Sequence, residues 1–168
     1  MMRPSNPVRK RPLNRALDRI DRALLAAVQN DARLSNKELA AIVELAPSSC
    51  LGRMRRLQAD GVIRGWRADI DPAALGLGLQ AMIAVQLRLH VRESFETFAA
   101  HLRSLPEVVG VWSLGGTTDF LAHLVCRDTA HLQAVTAEGF TARPEVSRIE
   151  TSLVFSHWQG QPPVPGDD

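Results

Sequence analysis

The chain has 168 residues, 45% hydrophobic and 23% charged, which suits one medium or two small globular domains and excludes wholesale disorder. Its two cysteines, Cys50 and Cys126, are too few for a disulfide framework or a zinc site; they read as small buried hydrophobes in a reducing compartment. The longest uncharged run, 72–87, is too short and too polar to span a membrane, and the basic start has no apolar stretch of a secretory signal, so a cytoplasmic protein is expected.

The net charge of +2 hides a split. Residues 1–67 hold 14 Lys and Arg against 6 Asp and Glu, a balance of +8; residues 68–168 hold 6 against 12, a balance of −6. The first part suits a polyanion and the second does not. Residues 1–16, with Arg9-Lys10-Arg11 among prolines, read as a flexible basic arm, and 159–168 as a disordered tail.

Within 17–61 three helices are expected. Asp18 can cap the first, with Asp21 three residues on, and Ile20, Leu24, Leu25 and Val28 follow helical spacing. Ser35-Asn36-Lys37-Glu38 is a capping box opening a short second helix to about Val43, with Leu39, Ile42 and Val43 inward. After the turn Glu44-Leu45-Ala46, Pro47 takes the first position of a third helix, whose apolar stripe is Cys50, Leu51, Met54 and Leu57. Gly61 ends it. Two helices across a tight turn, behind a supporting helix, form the helix-turn-helix pattern. Ser48, Ser49, Gly52, Arg53, Arg55 and Arg56 fall off the third helix's stripe, where guanidiniums and hydroxyls suit phosphates and base edges. Gly52 costs ~1 kcal/mol in helix propensity, a loss consistent with close approach to another backbone.

Residues 62–78 read as a strand, Val62 to Ile70, followed by a hinge at Asp71-Pro72. From 79 to 158 the order is strand, helix, strand, strand, helix, strand. Ala81 to Val91 alternates; Phe95, Phe98, Leu102 and Leu105 make a helix stopped by Pro106. Val108 to Leu114 and Phe120 to Cys126 are strands joined by Gly115-Gly116-Thr117-Thr118; Thr129 to about Gly139 is the second helix, with Leu132 and Val135 inward. Val146 to Trp158 closes, with Ile149, Thr151, Leu153 and Phe155 on one face. The fold class is therefore α+β: a winged helix-turn-helix domain plus a ferredoxin-like βαββαβ domain with one sheet face uncovered, so self-association is expected. His90, His101, His123, His131 and His157 are scattered and imply no metal site. No phosphate loop, paired catalytic carboxylates or nucleophile elbow appears, so neither enzyme activity nor a cofactor is expected.

The stretch LDRIDRALLAAVQNDARLSNKELAAIVELAPSSCLGRMRRLQADGVIRGWRADIDPAALG (17–76) and the turn LGGTTDFL (114–121) resemble the Lrp/AsnC, or feast/famine, transcriptional regulators. The resemblance implies a homodimer assembling further, often to an octamer, that binds double-stranded DNA at palindromic operators and takes an amino-acid effector between dimers. It places the third helix in the major groove with Ser48, Ser49, Arg53 and Arg56 facing DNA; Lys37 and Arg55 complete the candidate set. It matches Gly116 and Asp119 to the effector turn, with Thr151 on the last strand; Gly115, Thr117 and Thr118 join them. A Gly-Gly-Thr-Thr turn offers N–H groups and hydroxyls to a carboxylate, and Asp119 a charge to an ammonium. Ala46 stands where the family commonly has a Ser or Thr cap, and Thr118 where an aromatic often precedes the aspartate. Two competitors are an architectural DNA-coating protein without effector and an enzyme resembling the sirohaem decarboxylases.

Overall fold

The computed structural model describes residues 16–89, 91–158, 160 and 164. Nearly all of the expected arm and tail, and His90, lie outside them. The chain divides into two compact units, with the division near residue 68.

The first unit holds α1 (Arg19–Asn30), α2 (Asn36–Ile42) and α3 (Pro47–Ala59). Local chemistry starts each helix. Asp18 Oδ1 accepts the Asp21 N–H at 2.9 Å and Asp21 Oδ2 accepts the Asp18 N–H at 3.4 Å, a reciprocal cap. Ser35 and Glu38 repeat this at α2, and the Ser35 N–H bond holds the Glu38 carboxyl below its ordinary range. Helix α3 starts on Pro47 with no side-chain cap from Ala46; Asn36 Nδ2 instead donates to the Pro47 carbonyl at 2.8 Å, tying α2 to α3. Between those helices Glu44 adopts a left-handed φ of 54°, the conformation that lets so short a turn reverse the chain. Leu24, Val28, Leu39, Ala40, Cys50, Met54 and Leu57 form the core. Two residues expected inward are not: Ile42 is 54% exposed and Leu51 is also exposed.

The expected strand at 62–70 is absent. Val62 and Ile63 pack on the helical core, but 64–71 has no regular structure and pairs with no strand among the described residues. A lone extended segment has no ladder to join.

The second unit has the expected order: β1 (Leu79–Leu87), α4 (Arg92–Ser104), β2 (Val108–Ser113), β3 (Phe120–Cys126), α5 (Thr129–Thr136) and β4 (Val146–Val154). A short 3₁₀ turn, Pro72–Leu75, precedes it, and a π turn, Ala137–Thr141, extends α5. The antiparallel sheet runs β2-β3-β1-β4, the ferredoxin-like order. In register, Ile83 faces Ala122 and Thr151, and Val85 faces Phe120 and Ile149. That face meets Phe98, Leu102, Leu132 and Phe140 in the core. Strand β1 stops at Leu87, short of the expected Val91: β3 begins opposite Val85, a bulge falls at Gln86/Leu87, and Leu89 and Val91 are exposed. Phe155, expected within the last strand on the face of Ile149, Thr151 and Leu153, follows that strand and is 94% exposed.

The other sheet face carries Met82, Ala84, Trp112, Leu121 and His123, and among the described residues no helix joins its core contacts. There the His123 Nε2–H donates to Gln80 Oε1 at 2.9 Å. Burial, with a smaller contribution from His157, pushes the His123 imidazole below its ordinary range. The unfolded chain therefore holds the extra proton first. The stabilising contribution of neutral His123 is complete above about pH 6.5 and is lost as pH falls through the lower folded value. Thermal melts from pH 7.5 to 5 should show less acid loss in His123→Gln than in the parent; equal losses would disprove the assignment.

Candidate nucleic-acid interface and effector turn

The six DNA candidates separate into two groups. Lys37, Ser48, Ser49 and Arg55 are exposed, and neither Lys37 nor Arg55 has an ion-pair partner among the described residues. Arg53 and Arg56 are turned back onto α1. Arg53 Nη1 lies 2.6 Å from Asp18 Oδ2 and 2.8 Å from Asp21 Oδ1; Arg56 Nη2 lies 2.9 and 3.1 Å from the two Asp21 oxygens. The Asp18 and Asp21 carboxylates raise the Arg53 pKa further above its ordinary value. Their guanidiniums clamp α3 to the start of α1, a contact that the reading of them as DNA-facing did not include. Asp21, 1% exposed, receives both arginines, where sequence reasoning assigned it only a capping role. Its signal was available: Asp18 and Asp21 are spaced by three, as are Arg53 and Arg56.

The effector candidates also fail to converge. Gly115, Gly116 and Thr117 are exposed in the β2–β3 turn, and Gly116 has a φ of 120° that favours glycine. Thr117 and Thr118 line a groove of about 140 Å³ with Gln86, Arg148 and Glu150. Thr151 lines a different, more apolar groove of about 380 Å³ beside α5, with Leu132, Gln133 and Thr136. Asp119 is 3% exposed, and its Oδ2 accepts the Leu87 N–H at 2.7 Å. Its backbone joins the same corner, N–H to the Val85 carbonyl and carbonyl to the Leu114 N–H, both at 2.9 Å. Asp119 therefore secures the end of β1 under the turn rather than offering an open charge to a ligand. Arg148 and Glu150, which sequence reasoning missed, place opposite charges beside the threonines.

Both cysteines are buried free thiols. His101 bonds the Gly139 carbonyl at 2.8 Å and His131 bonds Glu107 at 3.1 Å, so these imidazoles serve the fold. Among the described residues no group of three His, Cys, Asp or Glu could hold a metal ion, and no helix is long and apolar enough to cross a membrane.

A helix-turn-helix unit with an exposed polar side on its third helix, followed by a ferredoxin-like unit with grooves, is an architecture that suits a DNA-binding regulator carrying its own ligand-binding domain. A family model for winged helix-turn-helix DNA-binding matches residues 17–64, and one for the Lrp/AsnC ligand binding domain matches 80–164. AldR, an HTH-type transcriptional regulator of Mycolicibacterium smegmatis, is 49% identical over 150 residues, covering 89% of this chain and 88% of the relative. The leucine-responsive regulatory protein of Rhizobium meliloti is 38% identical over 139 residues, covering 83% and 89%. A transcriptional regulator from Neisseria meningitidis, solved as an L-Met complex, aligns with a TM-score of 0.80 at 32% identity, over 86% of this chain and 94% of that one. The chain belongs to the Lrp/AsnC family of transcriptional regulators.

Proposed function

We propose that this regulator acts as a cytoplasmic homodimer, assembling further toward an octamer, that binds a palindromic operator through α3. An amino acid or a related small metabolite, held near the Thr117/Thr118 groove, adjusts that binding; no catalytic step or cofactor is involved. The observation that carries the reading is the exposed polar side of α3, with Lys37 and Arg55 lacking ion-pair partners among the described residues, in a chain that also matches a ligand-binding domain. The uncovered sheet face, with Trp112 half exposed, supports pairing with a second copy. In a two-fold dimer the half-sites lie one helical turn or a multiple apart. For the effector, Arg148 suits a carboxylate and Glu150 an ammonium, the charge role that buried Asp119 does not fill. The L-Met complex of the Neisseria relative supports the ligand class.

The test couples footprinting on selected duplexes with titration of the twenty amino acids, followed by Trp emission and thermal stability. A defined, imperfectly palindromic footprint is expected. So is at least one amino acid that stabilises the protein, by ~2.7 kcal/mol at a hundred times its dissociation constant. Uniform coating of every duplex would refute the operator reading; no response to any of the twenty amino acids would refute an amino-acid effector.

A further inference from the structure

Gly52 lies midway along α3 on the side turned away from Cys50, Met54 and Leu57. After proline, glycine is the least favourable residue in a helix interior, so its presence there calls for a reason. At Gly110 and Gly139 the reason is internal packing: a Cβ on Gly110 would stand 2.7 Å from Trp112 Cη2, and one on Gly139 would stand 3.0 Å from Leu105 Cδ1. On Gly52 a Cβ would meet nothing within 4 Å, and no left-handed φ demands glycine. No side chain or backbone of the described fold uses that space.

Its neighbours show what faces the gap. At about 100° per residue, Ser48, Gly52, Arg55 and Ala59 fall within an arc of roughly 60° opposite the core stripe. All four are exposed, and Arg55 has no ion-pair partner among the described residues. Arg56 and Arg53 lie to one side of this arc, between it and the core stripe, with their guanidiniums committed to Asp18 and Asp21. A hydroxyl, a missing side chain and an available guanidinium, one turn apart along a helix, suit a surface that presses against base edges.

Resting on the DNA-binding reading above, we infer that Ser48–Gly52–Arg55 is the base-reading edge of α3, with the DNA itself filling the space at Gly52. Arg55 pairs with a guanine, and Arg53 and Arg56 are positioning residues that fix the angle at which this edge enters the groove. A methyl group at position 52 holds the helix away from the bases while leaving the protein undisturbed.

The experiment uses the full chain and an operator selected by the parent from random duplexes. Gly52→Ala should melt at the same temperature as the parent or higher, yet bind operator at least about tenfold more weakly. Arg55→Ala should lose about 5- to 100-fold and lose its preference at one guanine of each half-site. Arg53→Lys should retain the base preferences. A Gly52→Ala protein that binds like the parent overturns the close approach. An Arg55→Ala protein that keeps every base preference while its salt slope drops by about one makes Arg55 a phosphate grip and overturns its reading role. A parent that selects no duplex brings down the DNA-binding reading itself, an outcome separate from failure of the variants.

Discussion

Asp21→Ala should destabilise the helix-turn-helix unit by about 3 kcal/mol, the loss expected for breaking a buried ion pair. The carboxylate is 1% exposed and receives two arginines, while its neighbour Asp18 receives one of them as well. Removing it leaves Arg53, itself largely covered, beside a cavity with one partner fewer, and also removes half of the α1 capping box. The low end of the range for broken buried pairs applies, because Arg56 is partly exposed and water can take over one of its contacts. Urea unfolding followed by circular dichroism measures the loss. Asp21→Asn, which keeps the shape and one acceptor, should lose clearly less. A double-mutant cycle of Asp21→Ala with Arg53→Ala should show coupling above about 0.5 kcal/mol. A loss below about 1 kcal/mol, or additive single variants, would show that the clamp contributes little. The same geometry predicts that Arg53→Ala weakens DNA binding by loosening α3, accompanied by a lower melting temperature.

What was legible in the sequence of this unit was its local chemistry. Ser35 with Glu38, Asp18 with Asp21, Pro47 and Gly61 each act within a few residues, and each sits at the expected helix end. The destination of Arg53 and Arg56 was not legible. Helical periodicity says only that they avoid the apolar stripe; whether they meet solvent or another helix depends on how α3 crosses α1. The segment 62–70 failed for a related reason, since weak alternation describes a residue pattern while a strand also needs a neighbour to hydrogen-bond.

In the second unit the period of two located the first strand, because one buried face selects alternate residues, Ala81, Ile83, Val85 and Leu87 on β1, while the turn 115–118 located the two strands that it joins. The period cannot locate a strand's end, which is where its partners stop; Leu89 and Val91 continue the pattern beyond the ladder. The effector turn was legible as a turn, and its threonines do border a groove. Asp119 misled because an aspartate opening a strand serves a ligand or the backbone equally well by sequence. The decisive N–H belongs to Leu87, thirty-two positions away. Register sets the face of Thr151: opposite Ile83, it lines the groove beside α5 rather than the one bordered by Thr117 and Thr118, a separation that sequence spacing does not reveal.

The corner that Asp119 secures leads directly to the second large expected effect. Phe120 follows Asp119 at the start of β3, is 1% exposed, and packs with ring centroids 5.0 Å from Phe95 and 5.5 Å from Phe98. These three rings fill the space between α4 and the end of the sheet that carries the 115–118 turn. Phe120→Ala should lower the stability of this unit by about 3–5 kcal/mol, combining lost transfer energy with a cavity that rigid neighbouring strands cannot close. Phe120→Leu, which retains most of the volume, should lose about 1 kcal/mol or slightly more. The effect extends to ligand binding, because the backbone that carries Phe120 also holds Asp119 against Val85 and Leu87. Guanidinium unfolding gives the stability, and the thermal shift with a stabilising amino acid gives the occupancy. Phe120→Ala should lose both, and Phe120→Leu should keep the shift. If Phe120→Ala loses less than about 1 kcal/mol and still responds to the amino acid, neither the aromatic cluster nor the corner above it supports the effector groove.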